Sequence, residues 1–211
     1  MKRAAIILLL LALIALLSGC QETIPFPGVQ NPQATIELTD GSQMRFELYV
    51  QEAPNTVANF VQLAQSGFYD GMYFFRVVPG MLIQSGCRNA DGTGMADHVI
   101  QGEFELNGIE NDLSHTRGTI SMARQTDYDT ASSQFFIMQS NYSEYDGKYA
   151  AFGRALDEET LGVIDRIASA PIDSRYKPIG GMAKIKTIRI DTHEYKYTAA
   201  TMPIPEKEEK E

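Results

Sequence analysis

From Phe75 to Gly86 the chain places one cation, Arg76, in an otherwise apolar strand-like run and interrupts that run with Pro79-Gly80. Proline fixes φ and glycine reaches positive φ, so the pair is turn chemistry, and the flanking apolar stretches can fold back as a hairpin or tight loop. Such a fold-back brings the Gln84 amide beside the Arg76 guanidinium, with Met81 and Leu82 near the same spot. A lone strand arginine ordinarily points to solvent from the alternate face of a half-buried sheet. Held among apolar groups, it has another use. It presents rigid donors, stays ionised at physiological pH and accepts no proton, so it can hydrogen-bond a planar uncharged group but cannot act as a general base.

The rest of the chain supplies one core and little else. Its 211 residues, 44% of them hydrophobic, suit a single domain with appendages. A formal charge of -9 argues against nucleic acid as a partner, because phosphate neutralisation needs clustered Lys and Arg. Lys2-Arg3, the apolar run 4–17 and Ser18-Gly19-Cys20 read as a targeting segment, residues 1–19, too short for a convincing spanning helix. Leu17-Ser18-Gly19-Cys20 resembles the bacterial lipobox, which implies lipidation at Cys20, a lipid anchor in a bacterial membrane and an extracytoplasmic location; an ordinary signal peptide and an uncleaved anchor are the rival readings. Residues 20–33 carry three prolines without periodicity and read as a flexible spacer. Cys87 then has no partner for an intramolecular disulfide, and it reads as a packing residue.

Alternating residues around Asp40-Gly41 predict a hairpin of 35–38 and 44–49. Pro54 to Gln65 predicts a helix, with Pro in its first turn, an apolar stripe of Val57, Phe60, Val61 and Ala64, and Gly67 past its end. Strands are predicted near 72–77, 81–84, 99–101, 118–122, 135–139, 150–155 and 182–190, with a second helix over 158–168. Many short strands with two separated helices give a mainly β fold, a closed antiparallel barrel with helical caps. Residues 34–195 form the domain, and 196–211 read as a mobile charged tail. His98, His115 and His193 lack ligand spacing, so no metal or cofactor is expected.

Phe74, Arg76, Gly80, Gln84 and Gly86 fill the pattern F-x-R-x-x-x-G-x-x-x-Q-x-G, followed by Gly118 to Arg124, Ser133 to Ile137 and Asp146 to Gly153. These blocks, in this order, resemble the cyclophilin family of peptidyl-prolyl isomerases. The resemblance implies an eight-stranded closed barrel with its groove on the outer face. It also implies roles: Arg76 as the donor to the proline nitrogen, Gln84 orienting it, and Phe136 gripping the proline ring together with Met81, Leu82, Tyr145 and Tyr149. Gln134 would hydrogen-bond the substrate backbone, and the main chain at Ala123 and Arg124 would hold the residue before proline. The better-known eukaryotic pattern has Phe at Met81, Asn at Arg124, Trp at Glu144, Leu at Tyr145 and His at Tyr149.

The implied chemistry needs no nucleophile. Rotation about an X-Pro bond must defeat amide resonance, a barrier of ~20 kcal/mol, and a donor that binds the nitrogen only as its lone pair localises acts on the transition state alone. The implied partners are proline-containing unfolded or newly exported polypeptides, met by a domain expected to be monomeric. Two rivals from other classes stand beside this reading. One is a proline-peptide-binding module or holdase with weak turnover, and the other is a structural lipoprotein that uses the barrel as an adaptor; fold alone separates none of them.

Overall fold

The computed structural model describes residue 28 and residues 30–204. The targeting segment, Cys20, most of the spacer and residues 205–211 lie outside the described residues. Strands β1 (Gln33–Leu38) and β2 (Gln43–Leu48) form the expected hairpin, with Ala34, Ile36 and Leu38 and then Met44, Phe46 and Leu48 turned into the core. The period of two puts every second side chain on one face, which is why the pattern was readable.

Helix α1 (Pro54–Gln65) occupies the predicted span, with Pro at its start and Ser66 closing its last turn. No side chain of its own caps its first turn. The buried Glu103 carboxylate does so from a distance, accepting from the Asn55 and Thr56 N–H groups at 2.9 and 2.7 Å. Those are orphan donors at the positive end of a helix, where an anion is stabilising. Burial nevertheless holds this carboxyl above the usual carboxylate range.

Next come β3 (Arg76–Val78), β4 (Leu82–Ser85), β5 (His98–Val99), β6 (Thr119–Met122), β7 (Phe135–Met138) and β8 (Ala151–Ala155). Helix α2 (Glu158–Ala168) is capped by the Asp157 carboxylate, which accepts from Thr160 N–H at 2.8 Å, and β9 (Ile185–Asp191) and β10 (Met202–Pro203) finish the described chain. Eight strands form one antiparallel sheet in the order β3-β4-β7-β6-β8-β2-β1-β9. It curls around a core in which Phe60 of α1 meets the rings of Tyr69, Phe135 and Phe152 at 5.2, 5.5 and 5.2 Å.

Three expectations are corrected. The sheet is a half-barrel and does not close: β3 and β9 are not paired, and the two edges meet only where residues 71–74, ahead of β3, bridge to 183–185 through Tyr73 with Lys184 and three backbone hydrogen bonds. The free edge of β3 is taken instead by a loop, since Val77 N–H donates to Tyr176 O at 2.8 Å. The segment near 99–101 is no part of that sheet; β5 pairs with β10, and Ile100 bridges to Ala131. Residues 196–204 are not a free tail. They lie across α1, with Ala199 N–H donating to Gln62 Oε1 at 2.9 Å and Ala200 exchanging two hydrogen bonds with the Asn55 amide.

Candidate active site

The Pro79-Gly80 turn closes with Met81 N–H donating to Val78 O at 3.0 Å, and Gly80 takes φ 75°. Proline followed by a positive-φ glycine is the sequence of a type II turn, which fixes the register of the strands it joins. Arg76 therefore stands opposite Gln84, Gln84 opposite Phe136, and Phe136 opposite Ser121. Four strands thus align one row of side chains on the outer face, where directly opposed residues are within contact distance.

Within that row the polar members are linked. Arg76 donates from a terminal guanidinium nitrogen to Gln84 Oε1 at 3.0 Å, Gln84 Nε2 donates to Gln134 Oε1 at 2.8 Å, and Gln134 Nε2 donates to Gly92 O at 2.9 Å. Each amide is oriented by the next, so the guanidinium is held by a chain anchored on backbone. Gln134 is brought there by Gly86, at φ 97°, where a Cβ would sit 2.2 Å from Ser133 O. Only glycine lets these two backbones pass so closely. Gln134 was expected to serve the substrate backbone, and after its bonds to Gln84 and Gly92 it keeps one N–H and one lone pair of its oxygen for that.

Beside this chain lies an apolar patch separate from the main core. Leu82, Phe136 and Met138 form its buried floor, and Val78, Met81, Ala123, Tyr142, Tyr145 and Tyr149 are half-buried around it. Tyr145 and Tyr149 meet the Phe136 ring edge to face at 5.7 and 5.6 Å, a favoured geometry for aromatic pairs. Burial, with Tyr149 adding to it, raises the Tyr145 hydroxyl above its usual range, so it remains a neutral donor. All the proposed proline-contacting side chains are thus brought together, with Leu82 as floor and not wall.

Arg124 is placed differently from Arg76. Its guanidinium donates to the carbonyls of Lys148, Gln125 and Thr126 and lies 4.9 to 5.1 Å from the rings of Tyr149, Phe104 and Tyr128. It braces Tyr149 and leaves its main chain, with that of Ala123, along the groove; the Ala123 N–H itself is taken by Gln134 O at 2.9 Å. Glu144 is exposed and accepts from the Tyr142 hydroxyl at 3.1 Å. Cys87 is buried with its thiol pushed up to about 12, chiefly by burial, so it stays protonated and is no nucleophile.

Two contributors escaped sequence reasoning. His115, considered only as a metal ligand, stacks under Phe136 at 5.9 Å and 18°, fixed by Asp146 at 2.9 Å and Ser121 Oγ at 3.0 Å. Tyr142 belongs to the aromatic wall, 4.8 Å from Tyr145. The signal for Tyr142 was its place in an aromatic cluster with Tyr145 and Tyr149; for His115, no local pattern pointed to the site.

Residues 34–190 match the family described as cyclophilin type peptidyl-prolyl cis-trans isomerase/CLD. A peptidyl-prolyl cis-trans isomerase of Synechococcus elongatus is 42% identical over 146 residues, covering 66% of this chain and 95% of that one. Peptidyl-prolyl cis-trans isomerase B of Bacillus subtilis is 44% identical over 117 residues, 56% of this chain and 78% of its own. Among solved structures, a Cryptosporidium parvum cyclophilin type isomerase crystallised in the presence of the dipeptide Ala-Pro has a TM-score of 0.65 at 30% identity. It covers 75% of this chain and 98% of its own.

Proposed function

The chain belongs to the cyclophilin-type peptidyl-prolyl cis-trans isomerases, and from that premise we propose that Arg76 performs the step that separates catalysis from binding. The proline ring seats against Met81, Phe136, Tyr145 and Tyr149 above Leu82, which leaves the imide bond at the Arg76 edge of the patch. The main chain at Ala123 and Arg124, with the remaining amide hydrogen of Gln134, holds the residue before proline. As the bond twists, the nitrogen lone pair localises and becomes an acceptor that the planar ground state lacks. Arg76, directed by Gln84, donates to it there and only there, and selective stabilisation of that geometry is what raises the rate. That the Cryptosporidium relative was crystallised in the presence of Ala-Pro supports a proline-containing ligand for this groove.

The observation that carries this reading is the hydrogen-bonded chain from Arg76 to Gly92 at the edge of the patch. A surface that only bound peptides would not need a guanidinium fixed in direction. Arg76→Ala in the full chain should lower kcat/KM by hundreds-fold, the ~3 to 4 kcal/mol typical of one preorganised donor, with peptide affinity changed far less. Arg76→Lys should not restore it, because an ammonium lacks the planar fork. Exchange NMR on a short X-Pro peptide measures both quantities in one sample, and undiminished exchange in folded Arg76→Ala would hand the groove to the holdase reading.

The same proposal extends to place. With Cys20 lipidated and residues 20–33 as a tether, the enzyme would act as a monomer at the outer side of a bacterial membrane on newly exported chains. Cys20→Ala should abolish detergent-phase partitioning and acyl labelling while leaving turnover intact; labelling that persists in this variant removes the anchor.

A further inference from the structure

Beyond the free edge of β3, a recess of about 240 Å³ is lined by Phe75, Arg76, Ala90, Asp91, Arg175 and Lys177. Three cations thus face one carboxylate, in a chain whose net charge is -9. Asp91 Oδ1 accepts from the Thr93 N–H at 2.9 Å and the Thr93 hydroxyl at 2.6 Å, so the carboxylate is held in the loop, where its charge offsets part of that of Lys177. Among the described residues the Arg76 guanidinium meets the Gln84 amide and the Tyr176 ring at 5.9 Å, both neutral. Arg175 is 86% exposed and pairs loosely with Asp173 at 4.0 Å, while Lys177 stands close enough to Asp91 and Asp173 to lower both carboxyls.

The loop that carries these cations is built to hold them. Asp173 Oδ1 accepts from the N–H groups of Arg175 and Lys177 at 2.8 and 3.0 Å, and Asp173 N–H donates to Lys177 O at 2.9 Å. Tyr176 sits at φ 63°, a conformation a bulky residue keeps only when its surroundings impose it. Its carbonyl is the one that takes the Val77 N–H and so fastens the loop to the strand that bears Arg76. Arg175 and Lys177 are thereby set on either side of a fixed point beside the catalytic guanidinium. Phe75 and Ala90 give the recess an apolar floor for an aliphatic stem.

We propose that this recess is a subsite for an acidic side chain, Glu or Asp, among the residues that follow proline in the substrate. The assignment rests on the isomerase reading for its direction: with the preceding residue at Ala123, at the far side of Phe136 from β3, the chain leaves the patch past Arg76. Cations in excess of the carboxylates beside them, here three against Asp91 and Asp173, discriminate by charge at the rim of a groove, attract an anionic ligand and lose that preference as salt screens them.

The test uses the full chain and peptides identical except for Glu, Gln or Lys at the first or second position after proline, with affinity and on-enzyme exchange read by NMR. Glu should exceed Gln by roughly three- to tenfold in kcat/KM or affinity, the range of one or two partly screened ion pairs, and Lys should fall below Gln. At ~1 M salt, where the Debye length is about 3 Å, the three should converge. Arg175→Gln combined with Lys177→Gln should bring the Glu-to-Gln ratio close to one. Equal affinity and turnover for all three peptides, or a Glu preference that survives the double substitution, would overturn the subsite. A Glu preference in affinity without turnover of any peptide would keep the subsite and sink the isomerase premise instead.

Discussion

The two faces of the four strands β3, β4, β7 and β6 share one register and do opposite things. On the inner face, Val77, Ile83, Ile137 and Ile120 oppose one another across the sheet, and all are 0% exposed. One residue away on the same strands, the outer row reads Arg76, Gln84, Phe136 and Ser121. The inner row needs volume and apolarity, and several β-branched residues would meet that need. The outer row depends on direction, because each polar group is oriented by its neighbour. A one-residue slip in pairing would exchange the faces and lose both core and site, so the turn at Pro79-Gly80 serves stability and chemistry alike.

The sharpest way to break the comparison is to truncate adjacent residues of β7 that face opposite ways. Phe136→Ala and Ile137→Ala each remove a buried side chain and should cost roughly 3 to 5 and 2 to 5 kcal/mol of stability. Denaturant melts will show that they resemble each other there. They should part in activity: Ile137→Ala keeps its kcat/KM per folded molecule, whereas Phe136→Ala loses affinity and turnover together. A catalytic loss in Ile137→Ala as large as in Phe136→Ala would mean that the faces are not separable.

A smaller effect tests direction within the outer row. Gln84→Leu keeps the bulk but removes the acceptor for Arg76 and the donor to Gln134. It should lower kcat/KM roughly tenfold to a hundredfold with little change in peptide affinity, since misplacing a catalytic group costs rate before binding. Equal losses in affinity and rate would make Gln84 a contact residue and not a guide for Arg76.

The same division explains what could be read from the sequence. Helix α1 was legible in full because its proline, its apolar stripe and Gly67 are all local signals. The pairing of Arg76 with Gln84 was legible because the turn lies between them. Openness of the sheet was not, since it depends on whether β3 gives its N–H to β9 or to the Tyr176 carbonyl, a choice made by a loop about a hundred residues away. The segment 196–204 read as a tail because its partners, Asn55, Gln62 and β5, are distant in sequence and its own composition is unremarkable for a loop. His115 was invisible for the same reason: its role exists only once β6 and β7 have placed Ser121 and Phe136 over it.

That histidine gives the smallest and most diagnostic expectation, because it lies under the outer row yet is as buried as the inner one. Asp146 is an acceptor only, so the His115 Nδ1–H donates to it and Nε2 accepts from the Ser121 hydroxyl. Protonation would turn Nε2 into a donor and leave a charge beneath the Phe136 ring. Burial lowers the pKa of the imidazole below its usual 6.5, against the opposing pull of Asp146. The unfolded chain therefore binds the proton first as pH falls below 6.5, and stability contributed by neutral His115 is present above that pH and lost as pH drops through the folded value. Glu103 works the other way: its raised pKa makes the folded state bind its proton first, so its contribution grows as pH falls toward 4.5. Glu103 is common to wild type and His115→Gln, so the difference between their melting temperatures at each pH isolates the histidine. That difference should be flat above pH 6.5 and shrink on acidification as wild type loses its advantage, with peptide exchange weakening in parallel. A difference independent of pH would show that the imidazole does not titrate differently on folding, and would leave His115 as a ring that packs and nothing more.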